Sequence, residues 1–434
     1  MKIIALIFLL TISELTIAQV SFWKKIQTPV SVNLNSIFAL DSNNIWIAAD
    51  SGKILFTSDK GDNWQVQTTG NFSKVYDIYF LNENSGWAIE WKSDNEPFGT
   101  YILKTSDGGN NWESTFYRHT DVFLHTIYFV DSLNGFSGGS NTGIVYTQNG
   151  GEEWYPATIL DTAGVGGYLP VYKFRFFTPQ YGYAVGGNID IMGVIWRTDD
   201  YGETWLPYGA GPDPIYDFVY FDSLNIYTLA GDFEKFYEIA IIRSSDGGIT
   251  WSYEEIEIYS AVEGISFRTE TEGWAATWYD SNLLRTTDSG NSWEYYPLAD
   301  SIPTFDIVFI DSLTGFMISD SGRVLRYVPD DPTNITEYSE IFIDDFNLYQ
   351  NYPNPFNSQT EISFYIKNES FITIKLFNLL GEEIKIVTEG IKSPGMHSIN
   401  LDMNSTPAGV YFYQLIADNN YEHNSQTKKM VLLK

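Results

Sequence analysis

TSDKGDNW at residues 57–64 returns with the same layout as TSDGGNNW (105–112), TQNGGEEW (147–154), TDDYGETW (198–205), SSDGGITW (244–251) and TTDSGNSW (286–293). The closing tryptophans, Trp64, Trp112, Trp154, Trp205, Trp251 and Trp293, stand 48, 42, 51, 46 and 42 residues apart. A repeat of roughly 40–50 residues is the length of one four-stranded propeller blade. Ser or Thr at the first position and Asp or Asn at the third have short side chains that bond turn amides, and Gly at the fifth permits positive φ. Each octapeptide therefore reads as a tight β-hairpin turn whose last residue packs between neighbouring sheets. Asp59, Asp107, Asp200, Asp246 and Asp288 are expected to serve their own turns rather than catalysis, and Asn149 keeps the acceptor without the charge.

A second marker recurs seven times, on what reads as the second strand of each blade: Ile45-Trp46, Gly86-Trp87, Gly135-Phe136, Gly182-Tyr183, Ile226-Tyr227, Gly273-Trp274 and Gly315-Phe316. Apolar strands such as VYDIYFL and KILFTSD flank it. The last copy has no octapeptide, and FWKKIQTP (22–29) reads as the missing outer strand. The expectation is an all-β, seven-bladed propeller over 19–330, closed by the N-terminal strand so that no sheet edge stays open.

The octapeptide resembles the Asp-box of sialidases, some xyloglucanases, sortilin-like receptors and the photosystem II assembly-factor family. The last of these is similar in octapeptide, second-strand marker and seven-fold count over 22–329, which implies a propeller used as a recognition scaffold. Asp-box sialidases use an arginine triad. Arg197, Arg243 and Arg285 each immediately precede an octapeptide and read as framework, Phe174-Arg175-Phe176 only distantly echoes the sialidase Phe-Arg-Ile-Pro motif, and Arg118, Arg268, Arg323 and Arg326 suggest no triad.

At the N-terminus, Lys2 precedes an apolar run from Ile3 to Ile12, with Thr16 and Ala18 spaced for signal peptidase, so cleavage after Ala18 is expected. Ser13 and Glu14 interrupt the run before the ~18 apolar residues of a membrane span. No other stretch reads as a spanning helix. PTNITEYSEIFIDDF lies in a polar linker expected over 331–346. Residues 347–434 carry Asn351-Tyr352-Pro353-Asn354-Pro355-Phe356, Leu380-Gly381, Ala408-Gly409-Val410-Tyr411 and Lys428-Lys429 within alternating apolar strands, which read as a small β-sandwich. This region resembles the type A sorting domain of type IX secretion cargo. The resemblance implies Sec export, passage of the outer membrane through the type IX machinery, and a secreted or cell-surface protein.

Of 25 Lys/Arg and 55 Asp/Glu residues, 7 and 8 fall in 347–434, so residues 1–346 hold 18 and 47 and almost all of the net charge of −30. Such a surface repels phosphate backbones, which argues against a nucleic-acid partner and against anionic membranes. With no cysteine, thiolate and disulfide chemistry are absent. The four histidines, His119, His125, His397 and His423, show no zinc-ligand spacing. Phosphate-cradling loops and nucleophile elbows are likewise missing, so no cofactor or metal is expected.

Function in propellers gathers where loops lengthen. WKSDNEPFGT (91–100), ILDTAGVGGYLPVY (159–172), GNIDIMG (187–193) and GDFEKFYE (231–238) exceed the repeat and map to one face. They bring Trp91, Asp94, Glu96, Phe98, Tyr168, Asp190, Phe233 and Tyr237, joined by Trp278 and Asp280. Aromatic faces beside carboxylates stack on sugar rings or engage a basic protein. The expected function is a non-catalytic recognition scaffold for an extracellular glycan or protein. The alternatives are a secreted glycoside hydrolase, which needs a facing carboxylate pair, and a structural surface or matrix component.

Overall fold

The computed structural model describes residues 22–328 and 346–433, apart from 141, 161–163, 165–167, 236, 279–281, 299–301, 349–350, 352–355, 367, 369, 380, 394, 405 and 419–422. The expected signal peptide (1–18), all of the linker except Phe346, and Asp280 lie outside these residues. Contacts divide the chain into two compact units, Met1–Asp331 and Pro332–Lys434. Every regular element among the described residues is a β-strand.

The first unit repeats one sheet. Leu34–Ala39, Ile45–Ala49, Lys53–Thr57 and Gln65–Thr68 pair antiparallel in chain order, and seven such sheets are present among the described residues. The sheet built on Val171–Phe176 gains a fifth short strand, Thr158–Ile159, which runs parallel to Thr204–Gly209. The sheet of Thr304–Phe309, Gly315–Ser319 and Val324–Tyr327 takes its outer strand from the N-terminus, with Trp23 opposite Tyr327 and Ile26 opposite Val324. Sheets stacked face to face bury their middle strands on both sides. IWIAA (Ile45–Ala49) and GFMIS (Gly315–Ser319) are accordingly buried at every residue, whereas the outer QVQT (Gln65–Thr68) is mostly exposed.

The two periodic markers interlock. In five sheets the second strand opens with glycine because the phenylalanine ending the first strand lies across it. A Cβ at Gly86 would stand 2.5 Å from the Phe80 ring, and one at Gly315 2.4 Å from Phe309. The neighbouring aromatic then stacks on the phenylalanine of the next sheet: Trp46 on Phe80 at 3.8 Å and Trp87 on Phe129 at 3.7 Å. The octapeptide tryptophans meet the same phenylalanines edge-on, Trp112 against Phe80 and Trp154 against Phe129. Polar tips complete the link. Trp46 Nε1 donates to the Gly108 carbonyl, Trp87 Nε1 to Gly150, Tyr183 OH to Gly247 and Tyr227 OH to Gly290, each in the following sheet's octapeptide.

Within the turns, the Gly61 and Asp59 amides donate to Thr57 Oγ1, and the Asn63 amide and side chain donate to the two Asp59 oxygens. The pattern repeats through Asp107, Asp200, Asp246 and Asp288, and Asn149 accepts from the Glu153 amide in the same way. The Thr250 hydroxyl, with the Thr250 amide, pulls the Asp246 carboxyl down to about 2.

In the second unit, one sheet joins Phe346–Leu348, Gln359–Ile366 and Gly395–Asp402, and another joins Glu383–Lys392, Ser370–Phe377, Gly409–Asp418 and His423–Leu432. One core serves both sheets, with Ile362, Phe364 and Leu401 from the first and Ile372, Ile374, Tyr413 and Met430 from the second.

Candidate functional site

The first strands of the sheets share a departure from regular pairing. Between Leu34 and Ser36, Val75 and Asp77, Leu124 and Thr126, Val171 and Lys173, Val262 and Gly264, and Thr304 and Asp306, the register slips by one residue. A bulge leaves its extra residue unpaired and re-aims it. The extra residues are Asn35, Tyr76, His125, Tyr172, Glu263 and Phe305, and with Tyr216, which precedes the short strand Val219–Tyr220, they all line one cavity of about 440 Å³. Six sheets contribute through their first strands and the seventh through the segment leading into its own. Lys74, Asp77, Lys173, Asp306 and Asp320 add charge to its wall.

Below this ring, buried carboxylates tie neighbouring first strands together. Asp77 accepts from the Ser36 hydroxyl (2.7 Å) and the Ile127 amide (2.9 Å). Asp217 accepts from the Ile265 amide and from Arg175 at 2.8 Å. Asp306 accepts from the Ile37 amide, joining the last repeat to the first, and faces Lys173 at 3.5 Å. Burial opposes the charge on Lys173, but Asp306, Asp217 and Asp77 together hold it protonated. These carboxylates are consumed by structure.

Two ring residues are different. Burial, reinforced by the Asp306 charge and opposed by Lys74, pushes the Glu263 carboxyl up to about 7. Burial and then the neighbouring Lys74 hold His125 at about 4, so its imidazole is neutral at neutral pH. His125 is 8% exposed, its Nε2 lies 2.8 Å from Ser140 Oγ, and its buried Nδ1 has no partner among the described residues. The rings of Tyr76, Trp91 and Tyr172 surround it at 5.0–5.1 Å.

Of the loop residues singled out from sequence, Trp91 comes nearest this cavity: its ring stacks on Tyr76 at 4.3 Å and its Nε1 donates to the Leu124 carbonyl. Asp94 is exposed and 3.9 Å from Lys92. Glu96 is exposed and Phe98 half-buried. Asp190 and Phe233 are brought together through Asp213, whose carboxylate accepts both backbone amides, and Phe233 meets Tyr237 edge-on at 5.1 Å. Tyr168 is 84% exposed and Trp278 44% exposed, and neither lines the central cavity. Sequence reasoning missed the ring itself. No cluster of three or more His, Asp or Glu side chains with metal-binding geometry occurs among the described residues. Nor is any helix there long and apolar enough to cross a membrane.

Fold and cavity together define a β-propeller with a central pocket, carrying an export module. Residues 350–432 match the secretion system C-terminal sorting domain, which marks the chain for type IX secretion to the cell surface or beyond. The propeller is similar in sequence to photosystem II assembly factors. HCF136 of Arabidopsis thaliana is 25% identical over 290 residues, 65% of this chain and 61% of the relative, so the chain spans about three fifths of that protein. Among solved structures, YCF48 bound to D1 peptide superposes with a TM-score of 0.56 at 19% identity, covering 72% of this chain and 96% of that one. A GH74 enzyme from Niastella koreensis is similar at a TM-score of 0.55 and 13% identity, covering 93% and 74%.

Proposed function

We propose that the protein is an exported, non-catalytic recognition scaffold in which seven blades, closed by the N-terminal strand, present a ligand pocket at their centre. The C-terminal unit is read as the β-sandwich that addresses the chain to the type IX machinery. The observation that carries this reading is the bulge ring: six first strands break register at the same position and place Asn, Tyr, His, Tyr, Glu and Phe around one cavity. Register breaks of this kind are enriched at sheet edges, at barrel rims and beside active sites, where they re-aim a side chain. Tyrosine walls with polar tips suit an extracellular protein segment or glycan. A peptide-bound relative of the same fold is consistent with the first. The test is a parallel peptide and glycan binding screen of the full chain against Tyr172→Ala and Tyr216→Ala. Ligands lost in both variants support the reading, and ligands indifferent to both refute it.

The second reading, a secreted glycoside hydrolase, draws on one observation: Glu263 is about half protonated at neutral pH beside Asp306, an acid and a carboxylate in one cavity. Against it stand the amide bonds and the ion pair that already occupy Asp306. Release of reducing ends from a polysaccharide by the wild type, abolished in Glu263→Gln, would establish the enzyme; absence of turnover alongside binding excludes it.

A further inference from the structure

The wall of the central cavity holds four carboxylates, Asp77, Glu263, Asp306 and Asp320, against two ammonium groups, Lys74 and Lys173. Three of the four acids are occupied. Asp77 takes the Ser36 hydroxyl and the Ile127 amide, Asp306 faces Lys173, and Asp320 pairs with Arg323 at 3.2 Å. Glu263 has no ion pair and no side-chain hydrogen bond among the described residues. Lys74 acts on it only from beyond ion-pair distance, and an acid facing a cavity with no cation in contact leaves a place for one.

We infer that this cavity takes an alkylammonium or guanidinium group, the head of a Lys or Arg side chain or of a free amine, with Glu263 as its counter-ion and the Tyr172 and Tyr216 rings beside it. The inference rests on the pocket proposed above and names its ligand chemistry. The aromatic surface already holds one ammonium of its own: Lys74 Nζ lies 4.7 Å from the Tyr76 ring centre and 5.7 Å from that of Trp91. Tyr172 and Tyr216 stand 4.9 Å apart at 49°, and no Lys or Arg lies over either among the described residues. A sugar ring is served less well, because Trp91 already covers a face of Tyr76 and the other two rings are not coplanar. The partnerless Nδ1 of His125 leaves hydrogen-bonding capacity in the same wall.

A proton is linked to this binding. Glu263 is faced by Asp306 and Lys74, and its charge is felt by Tyr76, Tyr172 and Tyr216, whose phenols burial raises above their usual range. With its carboxyl near 7, Glu263 is about half protonated at neutral pH, and an arriving cation favours ionisation and expels that proton.

The experiment is titration calorimetry of the full chain at pH 7 in two buffers of different ionisation heat. The probes are acetyl-Gly-Lys-Gly-amide, acetyl-Gly-Arg-Gly-amide, cadaverine, neutral acetyl-Gly-Gln-Gly-amide, and a panel of neutral oligosaccharides. At least one cationic probe is expected to bind about tenfold more tightly than the Gln peptide, with proton release. The preferred probe tells peptide from free amine. Glu263→Gln keeps the shape and should weaken that binding by about fivefold or more and abolish proton release, while Glu203→Gln, in an octapeptide turn, should leave both unchanged. Equal binding of the neutral peptide, no cation binding, or an equal loss in Glu203→Gln overturns the inference. If neutral oligosaccharides bind and Tyr216→Ala removes them, the pocket survives and only the cationic ligand falls. If no probe responds to Tyr216→Ala, both fall.

Discussion

At the scale of single residues, the carboxylates of this chain divide by what already touches them. Those of the octapeptides accept amides and hydroxyls of their own turns, so Asp246→Ala should lower unfolding stability by about 1–2 kcal/mol without changing ligand binding, and Asp246→Asn by less, since Asn149 keeps the corresponding amide bond. Denaturant titration with a binding assay checks both. Glu263 behaves oppositely. Its folded carboxyl sits near 7, above the ~4.3 of an unfolded glutamate, so the folded state binds the extra proton. His125, held near 4 against ~6.5 when unfolded, adds stability as pH rises between those values, whereas the Glu263 contribution should fall from about pH 4.5 to about 7 and be level above that. Glu263→Gln should remove this slope and, at pH 8, exceed the wild type by an amount on the order of 2 kcal/mol. Unfolding curves at pH 5 and pH 8 measure it; an unchanged slope in the variant would show that another group is responsible.

At the scale of the elements, the Gly-aromatic marker is a packing device. Gly86 has no need of positive φ; what forbids a side chain is the Phe80 ring 2.5 Å from the Cβ position. Gly86→Ala should cost about 1–3 kcal/mol through overpacking, and Phe80→Leu in the same chain should recover part of that cost, a coupling that a double-mutant cycle reads directly. Turns and markers were legible in sequence because their chemistry is local: the eight residues of TSDKGDNW contain both the donors and the acceptors of their own fold. The cavity was not. Its lining comes from single positions far apart in the chain, each re-aimed by a bulge that pairing alone reveals. A signal was present nonetheless. In LNSIFA, VYDIYF, LHTIYF, VYKFRF, IYDFVY, VEGISF and TFDIVF the second residue varies freely from Asn to Tyr, His, Glu and Phe after a mostly apolar first residue, and the third is mostly polar. Polar groups on first strands that the fold must bury mark a lined centre. Attention to long loops instead led to Tyr168 and Trp278, which stand exposed away from it.

At the scale of the whole molecule, two devices sit at opposite ends of the chain. The N-terminal strand supplies the outer edge of the last sheet, where Trp23 packs edge-on against Trp274, Phe309 and Tyr327. Trp23→Ala should cost about 3–5 kcal/mol, seen as a lowered thermal midpoint. If the sorting domain serves only as the export address, removing 347–434 should retain the chain inside the outer membrane without altering the propeller's spectroscopic signature, as fractionation and circular dichroism would show. The claim on which the rest depends is that the ligand sits at the centre of the seven sheets. Its most direct test is the affinity of the best ligand from the binding screen for the wild type, Tyr172→Ala, Tyr216→Ala, Tyr168→Ala and Trp278→Ala. Loss of about tenfold or more in the two central variants, with the two outer ones unchanged, is the expected result. Loss confined to Tyr168→Ala and Trp278→Ala would place the site on the loops and contradict the account.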